Sequence, residues 1–211
     1  MKTTVKNNKA TRGFTLVEMI GVLAVIAILA GMLIPKIFEA IRNSRINATL
    51  EAYNTLKAAV LEHYAKWGKF AYAFTSGTSV TDPNTPYTGT SFDYILLKEG
   101  RIDARAADKI PLSTSGGTGN VYVSVSTVGG RGGSGYDLDG DNTVDTANAN
   151  YTVELVIKDV LGKDAYDLSL RLDGKELSTS ETSDDTKGRV EYAAPSGSPK
   201  VTTVYMYIAH Q

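Results

Sequence analysis

"RGFTLVEMIGVLAVIAILAGMLIP", Arg12 to Pro35, is the stretch on which the reading of this 211-residue chain turns. From Phe14 to Ile34 it runs for twenty-one residues, with Thr15 and Glu18 as its polar members. As a helix rising 1.5 Å per residue it would span about 30 Å, the thickness of a bilayer's hydrocarbon core. A cleaved secretory signal has a shorter apolar region, about 7–15 residues, ending at a small-x-small site. Here the run is longer, carries an acid and leads straight into a second helical pattern. A retained membrane helix is therefore expected.

Upstream, residues 1–13 hold Lys2, Lys6, Lys9 and Arg12 and no acid. That bias places the N-terminus on the cytoplasmic side and everything after Pro35 outside. Downstream, Ile37, Ile41, Ile46, Leu50, Tyr53, Leu56, Val60, Tyr64 and Trp67 recur mostly at spacings of three and four. That is the apolar stripe of an amphipathic helix, with Gly68 placed to stop it. One helix from Phe14 to Trp67, about 80 Å long, is expected. Its first half is apolar all round, so it must lie in lipid or in a bundle of its own kind.

Extended to Ile37, this segment resembles the N-terminus of type IV prepilins and of type II secretion pseudopilins. The matching features are the short basic leader, Gly13 immediately before Phe14, Glu18, the apolar span and Pro35. The resemblance implies a leader over residues 1–13, cut after Gly13 by a prepilin peptidase that also N-methylates the new Phe14 amine. It implies a transmembrane assembly helix over 14–35, its amphipathic continuation over 36–68 and a globular head over 69–211. The implied fold is α+β, pilin-like, with the long helix packed on an antiparallel sheet. The implied product is a homo-oligomeric helical filament built at an inner-membrane platform. The subunit would cross the inner membrane once before assembly and stand in a periplasmic or extracellular filament afterwards.

Glu18 also has a physical reading. A charged acid at mid-bilayer costs about 2.5–3.5 kcal/mol, and less near an interface. Cleavage at Gly13 would leave a cationic amine at the positive end of the helix dipole. Glu18 can offset its cost by pairing with that amine, on its own chain or on a neighbour. The resemblance implies the neighbour, which makes the acid a docking device for incoming subunits; the plain alternative is a tolerated interfacial acid. Pro35 lacks an N–H and crowds the carbonyl of Gly31. With Gly21, these residues make a weak link that can bend or partly melt, or are ordinary transmembrane glycine and proline.

Beyond Gly68 the chain changes character. Thr75–Ser91 is rich in Gly, Ser, Thr and Pro and reads as a loop, and "FDYILLKEG" as a short helix ending at Gly100. Alternation in "VYVSV" from Val121, "YTVELVI" from Tyr151, "GRVEYAA" near Val190 and "VTTVYMYIA" from Val201 predicts antiparallel strands. Gly162–Gly174 suits a short helix between them. "DLDGDNTVDTAN" puts Asp137, Asp139, Asp141 and Asp145 at places one, three, five and nine of a calcium loop, with Thr143 at seven and Asn148 at twelve. Asn142 stands where glycine is usual, and Asn tolerates the left-handed conformation. Calcium is the expected ion; the alternative is a solvated acidic turn after the flexible "GGRGGSG", Gly129–Gly135. His63 reads as a packing or surface residue and His210 as frayed.

Charge and composition narrow the function. Without the leader's four cations the chain has 18 Lys+Arg against 23 Asp+Glu, a net of −5. An acidic remainder with no basic cluster argues against nucleic acid as a partner. There is no cysteine, so disulfides, thiolate metal sites and cysteine nucleophiles are excluded. No Ser-His-Asp order, P-loop or zinc spacing is present, and no enzyme is expected. A structural subunit of a type IV pilus-like filament is the leading reading. A pseudopilin of a type II secretion system is the alternative, and a membrane-anchored calcium-dependent binding module comes after it.

Overall fold

Leucine, isoleucine, alanine and methionine dominate the apolar run and favour helix, and α1 extends from Leu16 to Trp67, 52 residues, passing through Pro35 unbroken. The computed structural model describes residues 13–70, 80–81, 88–89, 91–117, 119–126 and 130–211. The basic leader up to Arg12 and most of Thr75–Ser91 lie outside these residues. The chain divides into two compact units, 1–41 and 42–211.

In the first unit every described side chain is exposed. In the second, α1 buries Ile46, Thr49, Tyr53, Leu56, Ala59, Val60 and His63, at the three- and four-residue spacing of one helical face. The expected stripe is thus displaced at both ends. Ile37, Ile41 and Tyr64 are exposed, and Thr49, Ala59 and His63 take part in the buried seam. Gly68 does end the helix, at φ 70° with its N–H on the Tyr64 carbonyl.

The sheet is antiparallel, in the order β3 (Val121–Ser126), β4 (Thr152–Leu161), β6 (Val201–His210), β5 (Val190–Tyr192). Its inner row runs Val123–Leu155–Met206–Val190 across all four strands. These residues share one core with Ile46, Tyr53, Leu56 and Val60 of α1. Burying each such side chain is worth about 1.5–3 kcal/mol. The opposite row, Tyr122–Val156–Tyr205–Glu191, keeps its two tyrosines half-buried. The architecture is α+β, a long helix with an antiparallel four-stranded sheet.

Helices α2 (Phe92–Lys98) and α4 (Gly162–Leu172) fall where the patterning placed them. Three features differ from the sequence reading. Thr75–Ser91 contains a two-residue antiparallel pair, β1 (Val80–Thr81) with β2 (Thr88–Gly89). A four-residue helix, α3 (Ala106–Lys109), is too short for periodicity to reveal. Part of the glycine run expected to be flexible forms a 3-10 turn at Arg131–Gly133. There the Arg131 N–H is held by the Glu154 carboxylate at 2.7 Å.

Each outer strand makes a contact beyond the sheet. The buried Asp93 of α2 takes the Val123 N–H of β3 at 3.3 Å, together with Arg105 Nε and the Ala106 N–H. On β5, Asp185 and Tyr192 exchange both backbone hydrogen bonds.

Candidate functional site

The N-terminus of α1 carries a reciprocal cap. Thr15 donates its backbone N–H and its hydroxyl to Glu18 Oε2, each at 2.8 Å, and Thr15 Oγ1 accepts the Glu18 N–H at 3.2 Å. This is a capping box, in which the threonine and the acid three residues on satisfy each other's backbone donors. Glu18 therefore has a partner within its own chain besides the amine considered from sequence. The Thr-x-x-Glu signature was visible in "TLVE", but it sat inside an apolar run that invited only a membrane reading.

Phe14 is 82% exposed. At Gly13, Gly21 and Gly31 a methyl group in place of the glycine hydrogen would meet nothing within 4 Å. Nothing inside the described chain therefore requires glycine at these positions. Pro35 sits inside continuous helix.

The acidic loop is built from short turns. Asp137 Oδ1 and Oδ2 accept the N–H groups of Gly140 (2.8 Å) and Asn142 (2.9 Å). Asp139 accepts Asp141 N–H, Asp141 accepts Thr143 N–H, and Asp145 accepts Leu138 N–H. The Asp145 N–H returns to the Tyr136 carbonyl at 2.8 Å and closes the loop. Asn142 adopts φ 69°, the left-handed conformation anticipated for it. Asp137, Asp139 and Asp145 can each offer one oxygen so that all three lie within 4.8 Å of one another. Asp141 is not in that group, and Thr143 and Asn148 are exposed on the same loop. Hard oxygen ligands at this separation suit a calcium-sized ion.

This loop is fastened to the segment before β5. Gly188 donates its N–H to the Asp137 carbonyl at 2.7 Å, and Lys187 Nζ reaches the Gly140 carbonyl at 2.9 Å. A Cβ at Gly140, whose φ is 83°, would lie 2.5 Å from Leu177 Cδ2, so glycine is required there. Glu191 accepts the Asp137 N–H and pairs with Arg131 Nε at 3.0 Å. Burial pushes its carboxyl up to about 7 despite that guanidinium.

A second polar cluster lies at the end of α1. Glu99 accepts Trp67 Nε1 (3.0 Å) and Arg101 Nε (2.6 Å), and shares a hydrogen bond with His63 Nδ1 (2.9 Å). Arg101 continues to Glu62 at 2.7 Å. His63 is thus a packing residue, as expected, but inside a charged network. His210 closes β6 with Nδ1 2.6 Å from the Tyr207 hydroxyl, so it is not frayed.

A family model described as the prokaryotic N-terminal methylation motif matches residues 8–34. The chain carries a type IV prepilin-like N-terminal signal. The prepilin-like stretch includes Gly13, Phe14, Glu18 and Gly31, and ends one residue before Pro35. The type IV major pilin protein PilE1 of Neisseria gonorrhoeae is 28% identical over 97 residues, 46% of this chain and 58% of that protein. The match therefore spans little more than half of the relative's length. No solved structure matches the chain. α1 is long and apolar enough to cross a membrane, and no residue of its apolar window is buried. Behind a prepilin-like signal, such a helix points to membrane anchoring before assembly.

Proposed function

We propose that the chain is made as a prepilin and cut between Gly13 and Phe14, that the new amine is methylated, and that the product is a structural subunit of a type IV pilus-like filament. The observation that carries this is the prepilin-like signal on a helix whose described residues before Arg42 are all exposed. Apolar surface on that scale needs lipid before assembly and other copies of itself afterwards. Such a role asks for no catalytic group. A pilus is favoured over a secretion pseudopilus because the relative is a type IV major pilin.

In this reading Glu18 docks the incoming subunit. The Thr15 donors both use Oε2, so the carboxylate can take a methylated amine through Oε1 without opening the cap. The basic leader would stay on the cytoplasmic side and the head would lie outside. The test is intact mass of the membrane-extracted protein, expected to lack residues 1–13 and to carry a methylated Phe14. A bulky replacement of Gly13 should keep the leader attached and stop assembly. A mature start downstream of Ala30 would replace this reading with a secretory signal.

The acidic loop supports a calcium role within the same filament. Three converging carboxylates repel one another unless a cation neutralises them. Bound calcium would draw on Asp137, Asp139 and Asp145, with Asp141, Thr143 and Asn148 as reserve ligands.

A further inference from the structure

Beside the buried seam of α1 lies a groove of about 260 Å³, floored by Ala48, Ala52 and Leu56 on the helix and by Ile102, Ala104 and Ala106 at the entry to α3. Ala48, Ala52 and Leu56 stand four apart and so form one row along the helix. Alanines on both walls let a partner's backbone come close. The space is smaller than the ~300–1,000 Å³ of small-molecule pockets, and it suits side chains of another chain better than a whole ligand. The charges around it are unevenly matched. Lys109 pairs with Asp103 at 3.0 Å, and Arg105 turns to Asp93 and Ser91. That leaves Glu51, exposed on the α1 side, whose carboxylate enters no ion pair among the described residues. The groove thus presents an aliphatic floor and one spare negative charge.

The exposed half of α1 carries the complement. Leu33, Ile37 and Ile41 are exposed and stand four apart, a ridge of the kind that packs into a facing groove. Lys36, next to Ile37, is the only cation of residues 14–41, is exposed, and enters no ion pair among the described residues. We propose that the ridge Leu33–Ile37–Ile41 of one copy seats in the groove of another, with Lys36 paired to Glu51 across the contact. The aliphatic ridge supplies the area removed from water. The ion pair sets the register, which is what charges at an interface contribute more than affinity. Ridge and groove are different surfaces, so the contact is heterologous, and a heterologous contact that does not close on itself propagates into an open helical assembly. The proposal rests on the filament reading for its purpose, but its test does not require filaments.

The chain has no cysteine, so introduced pairs report the contact cleanly. Two differently tagged copies of the full chain are made in one membrane, one with Ile37→Cys and the other with Thr55→Cys beside the groove, and are joined by mild oxidation. The heterodimer through positions 37 and 55 should form in excess over a control through 37 and 170, made with Leu170→Cys at an exposed site of α4. Glu51→Lys in the groove copy should cut the yield about two- to fivefold, the size of one exposed ion pair. Lys36→Glu in the ridge copy should restore it, which damage to the head could not mimic. A yield equal to the control would mean chance collision and overturn the proposal. Indifference to Glu51→Lys, or a loss that Lys36→Glu fails to restore, would overturn it as well. Dimers through two copies of position 37 alone would mean that ridges pack on ridges and that the groove takes another occupant, again against the proposal. An uncut N-terminus with the 37-to-55 dimer intact would keep this contact and retire the filament reading. Normal processing and sheared filaments without that dimer would do the reverse.

Discussion

Ile37, Phe38 and Ile41 are 46–67% exposed, whereas Ile46, little more than a turn further along the same helix, has no exposed surface. The chemistry of the side chains hardly changes between these positions; what covers them does. After Arg42 the chain supplies its own cover, with the sheet row from Val123 to Val190. Before Arg42 the described chain supplies no cover, and in the proposed reading lipid or other copies would provide it. Substitutions in 14–41 should therefore register in assembly and leave the head's stability alone. Those in 42–211 should do the reverse.

The sharpest way to break this division is at Glu18. Replacing it with Val or Leu removes the acid proposed to dock the next subunit while making insertion easier. Insertion and cleavage should remain, and sheared filament should fall to a small fraction of the parent's. Equal filament yield from the variant alone would remove the docking role. The matching change on the other side is Leu155→Ala, in the inner sheet row. A cavity there should cost about 2–5 kcal/mol in urea unfolding of the detergent-solubilised chain, with membrane insertion and processing unaltered.

Calcium tests whether the acidic loop belongs to the self-sufficient part. Saturation at one hundred times Kd would stabilise the fold by about 2.7 kcal/mol. Melting should rise in millimolar calcium relative to chelator, rise less in magnesium, and become indifferent in Asp139→Ala with Asp141→Ala. No shift and no heat of binding would leave an acidic turn. The smallest effect concerns Glu99. Burial alone would push its carboxyl up, but the bonds and charges of His63 and Arg101 together hold it below the ordinary 4.5. A lowered folded-state value means stability that is full above the ordinary value and lost as pH falls through the folded one. Glu99→Gln should cost about 1 kcal/mol or more at pH 7. Its gap from the parent should close on acidification below about pH 4. A gap independent of pH would mean that packing, not charge, is what the substitution removes.

How far each part was legible follows from the same contrast. α1 could be read because its signals are local: an unbroken apolar run, a basic leader, and a stop at Gly68. The ends of its buried seam could not, because exposure of Ile37 or Tyr64 depends on where the sheet ends. β4 was read only to Ile157, since a register shift between Ile157 and Val160, with Asp159 at φ 56°, interrupts the alternation before the strand resumes. Glu99 drew no attention because its partner His63 is 36 residues away. The acidic loop was legible as spacing, yet which carboxylates converge depends on backbone turns.

Asp93 and the Asp185–Tyr192 pair carry a consequence for the proposed filament. In the proposed filament, subunits packed side by side would hold their sheets at very high local concentration. There, a bare strand edge would offer its N–H and C=O groups to the next copy and invite cross-β growth. Asp93 occupies the Val123 N–H on one border, and the Asp185–Tyr192 exchange occupies the other. In the proposed filament these contacts would favour assembly through the helix over pairing of strand edges. Neutralising Asp93 would weaken the contact at the Val123 N–H and loosen the tie between α2 and α3.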